Sequence, residues 1–270
     1  MAALSQDLKN GRHRLVFVGG LHRSGTTPLA RVLGEHPQVS AFSGTGARED
    51  EGQHLQDVYP KAKVYGGAGR FALSGAAHLT EGSALVTEAN RERLLECWEP
   101  HWDLSRPVLV EKSPPNLIMT RFLQGLFPEA YQIVVMRHPV VVSLSTRKWA
   151  RERSLYALME HWFTAYDLFR VDAQEIGKLL VVRYEDLVGQ PAATLDRVAE
   201  FVGLDSPIPA AGIAADRSDR YEQAWGEMAR SMTGRLSRSR IEKHFAARAR
   251  EYGYRLDDLR AVDTDALGAA

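Results

Sequence analysis

The chain has 270 residues, 44% of them hydrophobic and 25% charged, ordinary globular values that allow one continuous core. Its 34 Lys and Arg balance 34 Asp and Glu, so no global charge advertises nucleic acid or an anionic membrane as a partner, and any anion site must be local. The lone Cys97 excludes an intramolecular disulfide and a cysteine-rich zinc site, and fits a reducing compartment.

The N-terminal MAALSQDLKNGRHR is polar and lacks the apolar run of a signal peptide or membrane anchor. No later stretch is long and apolar enough to span a bilayer, so a cytoplasmic protein is expected. LVFVGG (Leu15 to Gly20) is a continuous apolar run cut off by glycines, which predicts a strand buried on both faces. SGTTPLARVLGEHP then predicts a helix, with Ser24, Thr26 and Thr27 at its start, Pro28 in its first turn and Gly34 near its end. Residues 42–82 are rich in glycine and charge and read as a long irregular excursion over the strand ends, functional rather than structural.

PVLVEKSPP (Pro107 to Pro115), YQIVVMRHP (Tyr131 to Pro139) and KLLVVRYED (Lys178 to Asp186) repeat the strand pattern, each closing on charged residues. Helical periodicity runs over Asn116 to Leu126, Val141 to Arg151 and Leu155 to Phe169. The alternation predicts an α/β fold: a single domain over 1–270, its core about 13–204, with a doubly wound parallel sheet and helices on both faces. Ligands of such sheets sit at the carboxyl ends of the strands, where the charged residues fall. The Arg- and Ser-rich tail, 215–255, reads as a basic loop followed by a helix. Trp98, Trp102, Trp149 and Trp162 are of the type that lines a sugar or aryl site, but aromatics at helical spacing are expected mainly in the core.

Gly20, Gly25, Thr26 and Thr27 in GLHRSGTT have the glycine spacing of a P-loop, whose backbone N–H groups wrap a phosphate at a helix N-terminus. The lysine of a nucleoside triphosphatase is absent: Thr26 stands in its place, and the nearest cation is Arg23. The strand best placed to supply a magnesium carboxylate ends in Arg137 instead, which leaves Asp186 in VVRYED as the possible metal ligand, with nothing else to support it. The loop is suited to a phosphate held by cations, and no metal site is expected. Sulfuryl transfer matches, since the migrating group carries a single negative charge and the leaving phosphate can be neutralised by Lys or Arg.

Arg23, Ser24, Gly25, Thr26 and Thr27, the Arg137 and Ser145 pair, and VRYEDL together resemble the PAPS-dependent sulfotransferase family, in the expected order. The resemblance is closer to the carbohydrate and protein-tyrosine branches than to the cytosolic phenol and steroid type. It implies 3′-phosphoadenosine 5′-phosphosulfate (PAPS) as sulfuryl donor and adenosine 3′,5′-bisphosphate as product. It assigns the 5′-phosphosulfate to Arg23 through Thr27, the 3′-phosphate to Arg137 and Ser145, the adenine to Tyr184, and a late basic loop over the 3′-phosphate to Gly234 and Arg235.

Arg23 and Lys112 are expected on the leaving-group side. Where the phenol and steroid enzymes carry a catalytic histidine this chain has Pro114, so the resemblance moves the base to the acidic segment after the first helix. The candidates are Glu51 first, His54 second, then Glu49 and Asp50. The acceptor group, a hydroxyl or an amine, and its carrier, a carbohydrate, peptide or small hydroxylated metabolite, are left open. A nucleotide-dependent kinase with a degenerate loop and a non-catalytic adenosine-bisphosphate-binding module are the alternatives.

Overall fold

Side chains along a strand point alternately to opposite faces, and β1 (Arg14–Gly20) shows the consequence: Leu15 and Phe17 pack into one core, Val16 and Val18 into another. The computed structural model describes residues 2–213 and 218–263. β1 is the middle strand of a five-stranded sheet with β2 (Val39–Ala41), β3 (Val108–Lys112), β4 (Tyr131–Met136) and β5 (Leu179–Arg183), in the order β2-β3-β1-β4-β5. Every pairing is parallel.

The chain steps outward from β1 to β2, returns to β3, then crosses β1 to β4, so the winding direction reverses at β1. That reversal opens a crevice at the strand's carboxyl end. Register sharpens the point: Val18 lies opposite Lys112 and Gly20 opposite Val135, which brings the loop after β1 between the ends of β3 and β4.

On the Val16 face, α2 (Thr26–Gly34), α7 (Tyr184–Gly189) and α8 (Pro191–Val202) bury Leu29, Val32, Leu33, Leu187, Leu195 and Val198. On the Phe17 face lie α1 (Ala2–Lys9), α3 (Glu88–Trp98), α4 (Thr120–Leu126), α5 (Pro139–Arg147), α6 (Leu155–Asp172), α9 (Asp219–Glu227) and α10 (Met232–Glu251). Phe17 is fully buried there against Trp98 and Phe127, and burial of such a side chain contributes about 1.5–3 kcal/mol. Helices thus cover both faces of the sheet, as the alternating pattern predicts. Among the described residues no helix is long and apolar enough to cross a membrane.

Several boundaries differ from the sequence expectation, each for a local reason. The helix expected from Asn116 is preceded by a 3₁₀ turn over Pro114–Ile118, because two prolines supply no N–H for α-helical bonding, and α4 starts only at Thr120. The strand expected to reach Asp186 stops at Arg183, and Tyr184 opens α7. The irregular stretch is built from short 3₁₀ turns, among them Arg48–Asp50 and Gly52–His54. Of the expected basic loop, 215–217 lie outside the described residues; Gly234 and Arg235 sit in the first turn of α10, which Ser231 caps through the Gly234 N–H. Trp98, Trp102 and Trp162 are buried, whereas Trp149 is 53% exposed.

Candidate active site

The turn between β1 and α2 is shaped by glycine where the backbone must pass close to its neighbours. Gly20 and Gly25 have φ of 150° and 109°. A Cβ on Gly20 would lie 2.5 Å from the Val135 carbonyl, and one on Gly25 would run into the Tyr184 ring. Gly25 caps α2 with no side-chain hydrogen bond, so the N–H groups of that first turn are left for a ligand.

A cleft of about 540 Å³ opens over this turn, lined by Gly25, Thr26 and Thr27 and by four arginines: Arg23 in the turn, Arg31 on α2, Arg137 after β4 and Arg220 on α9. Arg137 is only 6% exposed. It donates to the Arg23 carbonyl at 3.1 Å and to Ser218 Oγ at 2.8 Å, lies 3.8 Å above the Tyr184 ring, and leaves its buried Nε without a partner. None of those partners is a carboxylate, and burial holds its pKa below the ordinary guanidinium value. Ser145 on α5 is buried and receives hydrogen bonds from Arg23 Nε and Tyr221 Oη, both at 2.9 Å. The fold therefore brings Arg23, Ser24, Gly25, Thr26, Thr27, Arg137, Ser145 and Tyr184 together. Tyr184 lines the cleft with Arg137 stacked on its ring.

A second cleft, about 240 Å³, adjoins the first and shares Arg23, Thr26, Thr27 and Glu49 with it. His22, Glu51, His54, Pro114 and Trp149 complete its useful chemistry. The Glu51 carboxylate is 6% exposed, 3.6 Å from Lys112 Nζ and 3.6 Å from His54 Nε2, and accepts a 2.5 Å hydrogen bond from the Gln53 side chain. Burial raises its pKa, and the nearby Lys112 only partly opposes that. His54 is pushed the other way, chiefly by burial and then by Lys61, Arg48 and Lys112. At Asp50 burial works against the charge, but hydrogen bonds from Thr45 hold the pKa below the ordinary carboxylate value. Asp50 is thereby committed to its turn, whereas Glu51 lines the smaller cleft.

Lys112 is nearly buried and donates to the Glu49 carbonyl at 2.7 Å; burial lowers its pKa, and Glu51 opposes that. It lines neither of these two clefts and opens instead to a hollow behind α2 that Glu49 and Asp50 also line. Arg23, Glu49 and Asp50 are the non-glycine residues with left-handed φ among those described, 76°, 55° and 50°. Each such residue costs about 1 kcal/mol or more, and clustering of that cost at one place is typical of functional sites.

Gly234 and Arg235 are not among the residues lining either cleft. Arg220 and Tyr221 of α9 do line the larger cleft, and sequence reasoning missed both, along with Arg31. It also missed Glu111, fully buried on β3 beside Lys112. Burial pushes the Glu111 pKa up to about 7, against hydrogen bonds from Ser113 Oγ at 2.6 Å and Asn116 Nδ2 at 2.5 Å. Ser113 Oγ in turn accepts the Gln53 backbone N–H at 2.9 Å, and Gln53 holds Glu51. The signal was available: a charged residue inside the apolar run VLVEK.

Comparison with known proteins agrees with this geometry. A model described as "Sulfotransferase family" matches residues 16–207. Protein-tyrosine sulfotransferase 2 of Gallus gallus is 27% identical over 70% of this chain and 51% of its own length, and protein-tyrosine sulfotransferase A of Caenorhabditis elegans 25% identical over 74% and 52%. The nodulation protein NoeE of Sinorhizobium fredii is 25% identical over 71% and 50%, so the chain spans about half the length of these curated relatives. A solved sulfotransferase from Mycobacterium avium aligns over 92% of this chain and 80% of its own with a TM-score of 0.50 at 15% identity, a likeness of fold. With the family match covering most of the sheet and the whole glycine turn after β1, the chain belongs to the sulfotransferase family.

Proposed function

We propose that the chain transfers a sulfuryl group from PAPS to an acceptor hydroxyl, with the larger cleft holding the donor and the smaller one the acceptor. The observation that carries this reading is Arg137: a buried guanidinium with an unpartnered Nε and no ion pair to a carboxylate among the described residues, beside Ser145 and a glycine turn that also gathers Arg23, Arg31 and Arg220. In a chain of zero net charge such a local excess of cations suits a ligand with more than one phosphate. PAPS fits these residues: the turn and Arg23 would hold its 5′ side, Arg137 and Ser145 its 3′-phosphate, and Tyr184 would lie by the adenine. When bound, it supplies an activated sulfuryl group on a phosphate leaving group.

The chain's own part follows from the acidic segment. Glu51, desolvated and with a raised pKa, is placed to take the acceptor's proton. Once Glu51 is protonated, its attraction for Lys112 at 3.6 Å is lost, and the ammonium charge becomes available to the leaving side. Proton removal and leaving-group stabilisation are thus coupled through one ion pair. Arg23, held by Ser145, sits where the two clefts meet.

The protein-tyrosine relatives make a tyrosine-containing peptide the first acceptor to test. The assay is transfer from labelled PAPS in EDTA, after thermal shifts with adenosine 3′,5′-bisphosphate and with ATP plus magnesium. Stabilisation by the bisphosphate and metal-free transfer support the proposal. Stabilisation by ATP with magnesium alone would favour the kinase reading, and bisphosphate binding without turnover on any acceptor would leave a binding module.

A further inference from the structure

Beside the acceptor-side cleft, and sharing His22 with it, lies a small chamber of about 10 Å³, about the space that one water needs. Its wall includes His22 from the turn after β1, Ser143 and Thr146 of α5, and His161 of α6. Three of these residues carry a buried polar atom with no hydrogen-bond partner: His22 Nδ1, Ser143 Oγ and His161 Nε2. One such orphan costs about 1–3 kcal/mol, so three around a single water-sized space call for a common partner. Phe71 packs edge-on against both imidazoles, at 5.8 Å from His22 and 5.0 Å from His161, which fixes the two rings at the chamber's border.

His22 belongs to two spaces at once, because it also lines the cleft that holds Glu51 and His54. Its Nδ1 is buried, which leaves the opposite edge of the ring for the cleft. Although that edge is open, packing on the other sides, followed by the charges of Arg48 and Lys112, pushes the His22 pKa down to about 3. The imidazole is therefore neutral, with one proton to place on one nitrogen.

We propose that a water in this chamber, held by Ser143 Oγ and His161 Nε2, donates to His22 Nδ1 and so keeps the proton on Nε2, where His22 hydrogen-bonds the oxygen of the incoming acceptor. His22 is then an acceptor-binding residue, and Ser143 and His161 are positioning residues acting through the water. A donor on the acceptor oxygen leaves the acceptor's own proton directed at Glu51, the arrangement that general-base catalysis requires. The inference rests on the proposed transfer only for what enters the cleft.

The test combines a crystal structure that resolves ordered water with nitrogen NMR of the His22 ring, on the protein saturated with adenosine 3′,5′-bisphosphate. Expected are one water within about 3 Å of all three atoms, a single Nε2–H tautomer, and movement of the Nε2 resonance when p-cresol, the side chain of tyrosine, is titrated in. Ser143→Val, which fills the chamber, should expel the water and let the two tautomers exchange, while Ser143→Thr, which keeps the hydroxyl, should preserve one. Bisphosphate affinity should stay within about threefold in both variants, since neither touches the donor cleft. A dry chamber, or the same tautomer in wild type and Ser143→Val, would overturn the proposal, and an unmoved Nε2 resonance would remove the acceptor contact. Loss of bisphosphate binding by the wild type would instead sink the donor reading and leave the water and tautomer results standing.

Discussion

Glu111→Gln probes the buried network under the candidate base, and its effect on stability has a definite sign. In the folded chain burial holds the Glu111 pKa at about 7, against an ordinary 4.5 when unfolded. The folded state therefore binds this proton more tightly, which contributes stability that is fully present below about pH 4.5 and is lost as pH rises through about 7. At about 1.4 kcal/mol per tenfold, the interval from 4.5 to about 7 amounts to about 3 kcal/mol for this group. Glutamine keeps the shape and cannot ionise, so urea melts of the two proteins should diverge with pH. Between about pH 4.5 and about pH 8 the variant should gain about 3 kcal/mol relative to wild type. A stability difference that is the same at both ends would refute a neutral, proton-holding Glu111.

Three further outcomes follow from the site. Glu51→Gln should lower turnover by roughly 10²–10⁴, the usual worth of a positioned general base, with bisphosphate affinity retained; if His54→Asn abolishes turnover and Glu51→Gln does not, the base is the histidine. Wild-type turnover should fall as acid protonates Glu51, at a pH above the ordinary carboxylate range because its pKa is raised by burial. Lys112→Ala should reduce kcat far more than PAPS affinity, and an unchanged kcat with a raised KM would make it a binding residue. Gly25→Ala places a Cβ against Tyr184 at a φ of 109°; it should cost about 1–3 kcal/mol in a urea melt and weaken bisphosphate binding, and a neutral result would show that the turn tolerates a side chain.

What could be read in the sequence were features that local chemistry encodes. LVFVGG followed by RSGTT specifies a buried strand, a glycine turn and a helix start, and Arg137 and Ser145 lie at the two ends of one short segment, so bringing both against Arg23 needs only α5. β2 was not legible, because Val39–Ala41 is a three-residue pairing with β3 and carries no periodic run of its own. Arg220 and Tyr221 reach the cleft from α9, more than seventy residues after Ser145, and no spacing rule links them to Ser145. Gly234 and Arg235 show the converse: a short motif matched in sequence, but capping by Ser231 draws it into the first turn of α10 and away from the cleft lining. The acidic segment was legible as a set of candidates, and burial then separated them, desolvating Glu51 while Thr45 secured Asp50.

The account's central claim is that the arginine-lined cleft is built for a nucleotide carrying a 3′-phosphate, and isothermal calorimetry in EDTA tests it most directly. Adenosine 3′,5′-bisphosphate and adenosine 5′-phosphate should be titrated into wild type and Arg137→Ala. A charge-assisted grip is worth about 1.5–3 kcal/mol, so wild type should prefer the bisphosphate by roughly tenfold to a hundredfold. In Arg137→Ala that preference should collapse toward unity while 5′-phosphate affinity changes little. Equal affinity of wild type for the two nucleotides, or a preference that survives in Arg137→Ala, would contradict the claim.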